Sequence, residues 1–389
     1  MDGYCGGIMY QLRKIGAFTL LAVACLTIMV GCVIVPGLTE IAANLGTPAA
    51  ASWLVTVPAL GVVLFGPAAG KLIDRAGAYA ALVWGLFFYG LLGVGGVLLH
   101  GLIPVMADRL LLGGATAVVM SAGTGLISTF YSGQARLKMI ASQGMSIELG
   151  GVIFLVIGGL LATSGWRWPF LLYLVAWLLL AMVLMFVPKP QRPDADDISN
   201  AAPTGGLPGA LKAIYFTAVF SMVCFFTGII ILPQHFHHLH IGAAETGYFL
   251  SFISLVAVLA AALMPWVTAR LKEYGTLYTA FGCYVLAHLI FSFADGLPWF
   301  IAGGVLMGCG FGLSVPLVNH MTVEQSHERV RGRNLSYLSM AIFSGQFFSS
   351  FMEFIPGKLS VVFLGAAVIG VAVILILMTV RGARRRTVN

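Results

Sequence analysis

The sequence predicts an all-α integral membrane protein whose twelve transmembrane helices form two pseudo-symmetric six-helix bundles around a central cavity. Three observations predict this fold class. The mean hydropathy is +0.98, with 59% hydrophobic and 9% charged residues. The apolar runs are about 20 residues long, enough for a helix to cross a hydrocarbon core of roughly 30 Å. A polar interruption near the middle of the chain divides these runs into two sets of six.

The composition argues against several other classes. A soluble domain carries roughly 25% charged residues, far more than this chain. The net charge of +7 comes from basic residues scattered over short polar segments, so we expect no nucleic-acid partner. The six cysteines lie mostly within apolar runs and lack paired spacing, which predicts neither disulfides nor a metal site. Nucleotide-binding and hydrolase motifs are absent from the sequence, so we expect no cofactor, no catalytic residues and no enzyme activity.

The twelve apolar runs are bounded by charges, glycines or prolines. They lie at residues 15–38, 52–73, 80–99, 103–130, 138–162, 168–187, 211–233, 244–267, 276–293, 297–322, 333–354 and 358–380. The first run follows Arg13 and Lys14, as the apolar region of a signal peptide would. It is longer than the 7–15 residues typical of such a region, so we interpret it as a retained first helix.

The distribution of basic residues predicts the orientation. With twelve spans both termini lie on one side. If that side is cytoplasmic, all of the 21 Lys and Arg residues except Arg109, Arg167 and Lys358 fall in the inner half. Cytoplasmic loops of membrane proteins carry such an excess. We therefore expect a multi-pass protein of the cell (inner) membrane with both termini in the cytoplasm.

The polar interruption, residues 188–210, carries five prolines and an acidic run at residues 194–197, and it reads as a cytoplasmic linker. It separates an N-terminal six-helix bundle, residues 1–187, from a C-terminal bundle with a basic tail, residues 211–389. The two halves repeat at an offset of about 198 residues, which places Gly77 on Gly275. Two repeated halves are typical of a transporter with its substrate between them near mid-membrane.

Four motifs carry a family resemblance. Residues 70–77 read Gly-Lys-Leu-Ile-Asp-Arg-Ala-Gly, which fits the pattern G-x-x-x-D-R-x-G between spans two and three. Asp108-Arg109 with Gly113, the pair Gly158-Gly159, and residues 35–38 (Val-Pro-Gly-Leu) add to it. Together they resemble the major facilitator superfamily, and in particular its twelve-span drug:proton antiporter branch, over essentially the whole chain.

The stretch 70–77 is our candidate gating element, formed by Gly70, Asp74, Arg75 and Gly77. Its glycines allow the backbone to turn and neighbouring helices to approach. Asp74 suits the positive end of a helix dipole. The resemblance implies that this helix is the start of span eleven, near Asn334, and that the contact holds the inner side shut when the outer side is open. The alternative is that these charges only set the topology.

Glu148 is the clearest ionisable group within a span. It lies about ten residues into span five, roughly 15 Å deep. Ionisable groups at that depth are costly and usually functional, so we expect Glu148 to bind a proton or a cationic substrate; the alternative is a structural carboxyl group. The 198-residue offset places the neutral Gln346 at the matching position. The resemblance gives Asp108 and Arg109 a role in proton transfer or gating, against a helix-end anchor.

The spans expected around the cavity are rich in aromatic residues and methionine, which suits a bulky amphipathic ligand. The predicted substrate contacts are Glu148, Gln346, Asn319, His320, Phe225, Phe226, Tyr337, Phe343 and Met145. His288 reads as a packed neutral histidine. Glu353, near the outer end of span eleven, is expected to pair with Lys358.

Four histidines fall within residues 235–240. Such density could bind Zn²⁺ or Cu²⁺ or sense pH, but we favour an exposed loop and expect no metal site. The sequence thus predicts a proton-coupled exporter of a small amphipathic organic compound or drug, working by alternating access as a monomer among membrane lipids. The alternatives are an exporter of a siderophore or other metabolite and, less favoured, a pore or an intramembrane enzyme.

Overall fold

The apolar runs are helical in the computed structural model, because a helix satisfies its own backbone hydrogen bonds where water is absent. The structure describes residues 12–131, 133–190, 209–294, 296–326 and 331–388, and helices are the only regular secondary structure in these ranges. The helices are α1 (Lys14–Ala24), α2 (Leu26–Cys32), α3 (Leu38–Asn44), α4 (Trp53–Ala76), α5 (Ala78–Gly95), α6 (Leu102–Phe130), α7 (Gly133–Thr163), α8 (Val175–Phe186), α9 (Gly209–His238), α10 (Ala243–Phe293), α11 (Leu297–Glu324), α12 (Arg331–Phe348) and α13 (Leu359–Val388). Short 3₁₀ helices cover Pro48–Ala50, Gly96–Leu98, Trp168–Leu174 and Ser349–Phe354.

Ten helical segments of the described chain are long and apolar enough to cross a membrane. One of them, Lys14–Cys32, combines α1 and α2 across a turn at Cys25, so the predicted first span is interrupted. Most of the predicted linker, residues 191–208, and the acidic run within it lie outside the described residues.

Predicted spans eight and nine form one 51-residue helix, α10, which bends sharply at Lys272. Lys272 has φ 63° and ψ 171°, a conformation that a non-glycine residue rarely adopts. The predicted connecting loop at 269–275 is therefore mostly helical. Predicted span eleven is the 18-residue helix α12 followed by the 3₁₀ helix Ser349–Phe354, and α12 is too polar to be among the ten apolar segments.

Three helix pairs join the first half of the chain, up to residue 190, to the second half, from residue 209. Helix α7 packs against α10, α4 packs against α12, and the short helix α3 packs against α9. The start of α4, the end of α7, the start of α10 and the 3₁₀ helix Ser349–Phe354 meet at one end of the molecule, which we call the Trp53 end. The end of α4 and the start of α12 lie at the opposite end, the Asp74 end. A large buried core runs through both halves.

Candidate transport site

A cavity of about 250 Å³ lies between the two halves. The first half contributes wall residues from α2, α4, α6 and α7, and the second half from α9, α10, α11 and α12. Most of the wall is apolar. Its polar side chains are Thr27, Cys32, Glu148, Ser254, Asn319, Ser339 and Gln346. A site built from both halves changes shape whenever the halves move relative to each other.

Glu148 is the one charged side chain among the described residues that line this cavity. It sits on α7 and makes no hydrogen bond or ion pair with any residue that the structure describes. A carboxylate in an apolar, poorly hydrated wall costs free energy unless it gains a proton or a cation. The cavity therefore offers one acidic group that either a proton or a bound cation can neutralise.

The second half supplies an aromatic surface opposite. Phe225 and Phe226 of α9 lie with ring centroids 5.7 Å apart, and Phe225 contacts Phe311 of α11 at 4.2 Å. Phe343 of α12 extends the same wall. Aromatic faces attract organic cations as well as apolar groups, so the wall complements Glu148 for a molecule that has both.

The Trp53 end of the cavity is closed by contacts between the halves. Ser52 Oγ donates a hydrogen bond to Glu353 Oε2, and the hydroxyl groups of Thr56 and Ser350 share another. Gln234 Nε2 donates to Glu353 Oε1 at 3.0 Å. Glu353 forms no ion pair with Lys358, so that expectation is wrong: its carboxylate is turned towards the first half and is already held by these two donors.

Aromatic rings cover these hydrogen bonds. Trp53 meets Phe347, Phe351 and Phe354 edge-on, with ring centroids 6.1–6.2 Å apart. These rings come from opposite halves of the chain, so they must separate if this end opens.

The α7–α10 contact completes the closure. A Cβ built on Gly247 would lie 2.5 Å from the carbonyl oxygen of Leu155 and 3.1 Å from the Cα of Gly159. Ser251 Oγ also donates to the carbonyl oxygen of Val152 at 2.9 Å. Only glycine allows the two backbones to approach this closely.

The whole-chain comparison decides the family. The Major Facilitator Superfamily profile matches residues 19–350. The chain belongs to the Major Facilitator Superfamily. It is therefore a multi-pass membrane transporter with an all-helical fold and not an enzyme.

Solved structures of transporters share the fold at low sequence identity. A point mutant of the nucleoside transporter NupG aligns with a TM-score of 0.76 and 11% identity over 94% of this chain and 99% of that one. The inward-open xylose transporter XylE from E. coli aligns with a TM-score of 0.73 and 17% identity over 94% and 96%. At such identities the likeness concerns the fold alone.

Curated relatives are more similar in sequence but match less of the chain. Multidrug resistance protein 1 of Bacillus subtilis is 27% identical over 193 residues, which is 48% of this chain and 46% of that protein. The MFS-type transporter EfpA of Mycobacterium tuberculosis is 30% identical over 31% of this chain and 23% of its own length. The matches thus cover less than half of either relative.

Asp74, the acidic residue of the superfamily motif, is exposed and has no hydrogen-bond or ion-pair partner among the described residues. Gly77 has φ 84° and provides the turn, whereas a Cβ on Gly70 would meet no atom within 4 Å, so Gly70 brings no helix close. Asn334 is buried and donates to Ser326 Oγ at 2.8 Å. The gating role of these residues stays a prediction.

Arg109 and Asp108 lie inside the first half, away from the cavity. Arg109 is 1% exposed and pairs with Asp108 at 3.0 Å. It also donates to the Tyr173 hydroxyl at 3.2 Å, and that hydroxyl donates to the carbonyl oxygen of Val30 at 2.8 Å. The pair thus connects α6 to the interrupted first span, and it is not a helix-end anchor.

Six of the nine predicted substrate contacts line the cavity: Glu148, Gln346, Asn319, Phe225, Phe226 and Phe343. Met145, His320 and Tyr337 do not form part of its wall; all three are exposed, with Met145 at 62%. They lie on cavity-forming helices, and the 100° step between helical residues separates them from their neighbours that line this space.

The histidine-rich segment does not bring its four side chains together in the described structure. The described residues contain no group of three or more metal-binding side chains. The ring of His235 packs near Phe300 and Phe363 at 5.8 and 6.2 Å, while His237, His238 and His240 are exposed. The observation that favoured a siderophore exporter therefore gains no support. His288 is fully buried and its Nε2 lies 2.9 Å from the Cys224 carbonyl oxygen, as expected of a packed histidine.

Sequence reasoning missed several features of the site. Four small polar residues line the cavity, namely Thr27, Cys32, Ser254 and Ser339, but such residues within apolar spans carry no distinctive signal. The Ser52–Glu353–Gln234 cluster joins residues up to 301 positions apart. Its only sign in the sequence is Glu353, a carboxylate near the end of a predicted span with no Lys or Arg three or four positions away.

Proposed function

We propose that this superfamily member is a proton-coupled exporter of small amphipathic organic compounds, with a preference for cations. It would work as a monomer in the cytoplasmic membrane, with both termini in the cytoplasm. The observation that carries the proposal is Glu148, the single charged group in a cavity built from both halves. The printed name of the multidrug resistance relative supports the same substrate class.

The proposed architecture has twelve spans in two six-helix bundles, residues 1–187 and 211–389, joined by a linker at 188–210. Helix α10 would supply two spans because it bends at Lys272. Helix α12 with the 3₁₀ helix Ser349–Phe354 would supply another despite its polarity. Together with the remaining nine apolar segments these make twelve.

Exchange would follow from competition at one carboxylate. Glu148 neutralised by a proton has no charge with which to hold an organic cation, and a bound cation displaces the proton. The aromatic wall would hold the apolar part of the substrate. Because the uncompensated charge is costly in this wall, the halves would rearrange most readily when Glu148 is neutralised by either partner.

In alternating access, one end of the cavity would close as the other end opens. The contacts around Trp53 hold one end shut in this conformation. The superfamily motif at Asp74 would hold the other end shut once the Trp53 end opens. Asp108 and Arg109 would act indirectly, by fixing the interrupted first span beside Cys32 of the cavity wall.

Proteoliposomes provide the test. Efflux of ethidium, a fluorescent lipophilic cation, should follow an imposed pH gradient and stop when the gradient is dissipated. Glu148→Gln should abolish gradient-driven accumulation, because the amide cannot exchange a proton. Glu40→Gln, which changes an exposed carboxylate on α3, is the matched control and should behave as wild type. Full gradient-driven transport by Glu148→Gln would remove this residue from the mechanism.

A further inference from the structure

Glu353 combines three properties that the proposed exchange at Glu148 does not use. It is ionisable, it is half-buried, and it is hydrogen-bonded across the boundary between the halves. We propose that Glu353 is a second proton-binding site, which takes its proton from the aqueous phase at the Trp53 end and thereby favours the opening of that end. The consequence for transport rests on the proposed alternation of the two halves, but the proton-linked opening itself does not need Glu148.

The geometry assigns each carboxylate oxygen its own donor. Oε2 accepts from the hydroxyl of Ser52 in the first half. Oε1 accepts from the side-chain amide of Gln234 in the second half at 3.0 Å. Gln234 therefore fixes the carboxylate within its own half, and Ser52 is the contact that must break when the halves separate.

Charge sets the strength of this contact. A hydrogen bond to an ionised carboxylate is about twice as strong as one between neutral groups. A proton on Glu353 removes the charge and occupies one of the two oxygens. The ionised form therefore holds the Ser52 contact, and with it the closed Trp53 end, more strongly than the protonated form does.

No charged group on the neighbouring elements forms an ion pair with Glu353 within the described residues. The elements packed against the 3₁₀ helix Ser349–Phe354 are α4, α9, α12 and α13. Helix α9 brings His235, whose ring packs against phenylalanines, and the exposed His237 and His238, while the exposed Lys358 directly precedes α13. None of these four forms an ion pair with Glu353. Helices α4, α12 and α13 carry their other charges at the Asp74 end.

A neutral contact lies beside the titratable one. Thr56 and Ser350 share a hydrogen bond between the same two elements, and neither residue titrates. Protonation of Glu353 therefore shifts the balance between closed and open forms without removing every contact. For an exporter that takes up protons from the outer side, opening would then be favoured where protons are abundant.

The test measures opening directly, without substrate or gradient. Spin labels at Ala49→Cys and Leu239→Cys, in a full-length chain with the native cysteines replaced, report the distance across the Trp53 end. Both positions are exposed, one in each half. As pH falls from 8 to 5, the open-to-closed ratio should rise, by at most about tenfold per pH unit for one linked proton.

Three variants distinguish the protonation of Glu353 from that of Glu148 and test the Ser52 contact. Glu353→Gln should show an open-to-closed ratio near the acid value of the wild type at every pH. Glu148→Gln should keep the pH response. Ser52→Ala, which leaves Glu353 in place, should raise the open fraction at pH 8 and flatten the response, so the test stands even if Glu353→Gln folds poorly. A wild-type response in Glu353→Gln or in Ser52→Ala, or loss of the response in Glu148→Gln, would overturn the proposal.

Discussion

Gly247→Ala is the sharpest perturbation of the closed Trp53 end. Its Cβ would lie 2.5 Å from the carbonyl oxygen of Leu155 and 3.1 Å from the Cα of Gly159. Both are backbone atoms of α7, so no side chain can move aside to relieve the overlap. The two helices must separate, and they belong to opposite halves of the chain.

The magnitude follows from the cost of overpacking. Forcing extra atoms into a packed contact costs typically about 1–3 kcal/mol. The gain in helix propensity from glycine to alanine acts in both conformations, so it does not shift the balance between them. A free-energy cost of this size that is present only in the closed conformation lowers the closed-to-open ratio by about 5–150-fold.

The spin-label pair at positions 49 and 239 measures that ratio. Gly282→Ala is the matched control, because it lies on the same helix and its Cβ would meet no atom within 4 Å. We expect Gly247→Ala to populate the longer distance and Gly282→Ala to match the parent protein. An unchanged distance distribution in Gly247→Ala would refute the assignment of the α7–α10 contact to closure.

Three further predictions concern stability and gating. Gly77→Ala should lower the free energy of unfolding of the purified protein by roughly 1–3 kcal/mol, because φ is 84° at this position. Gly70→Ala should leave it nearly unchanged, since a Cβ there would meet no atom within 4 Å. Equal effects of the two substitutions would contradict this account. Arg109→Ala should lower the free energy of unfolding by about 3–5 kcal/mol, because it leaves the buried Asp108 unpaired. Arg167→Ala is the control and should change the thermal melt little. A similarly small effect of Arg109→Ala would contradict the structural role of the Arg109–Asp108 pair. Asp74→Asn should leave the melting temperature unchanged yet slow transport in proteoliposomes, and wild-type transport rates would remove Asp74 from gating.

The helices could be predicted from the sequence because runs of apolar residues at bilayer length leave few alternatives. The candidacy of Glu148 also came from the sequence: a helix rises by a fixed distance per residue, so its place in the apolar run predicts a position near mid-membrane. The structure places this carboxylate in the cavity wall. The interruption at Cys25 was not predictable, since that position carries neither glycine nor proline. Between spans eight and nine the sequence predicts a connection at 269–275, but it does not indicate that the helix continues around a bend at Lys272.

Rotation about the helix axis was the harder problem. In spans that are apolar on all sides, no polar face shows which residues point inwards, so Met145 and Tyr337 were placed in the cavity together with residues that do line it. The Ser52–Glu353 contact joins positions 301 residues apart, and local pattern carries no information about such pairs.

The central claim is that one carboxylate, Glu148, binds either a proton or the substrate cation. Binding of tetraphenylphosphonium, a lipophilic cation, to the purified protein across a pH series tests it most directly. The apparent affinity should fall as pH decreases, approaching tenfold per pH unit once Glu148 is protonated, and Glu148→Gln should bind more weakly with no such dependence. The same pH dependence in Glu148→Gln as in the wild type would contradict the account.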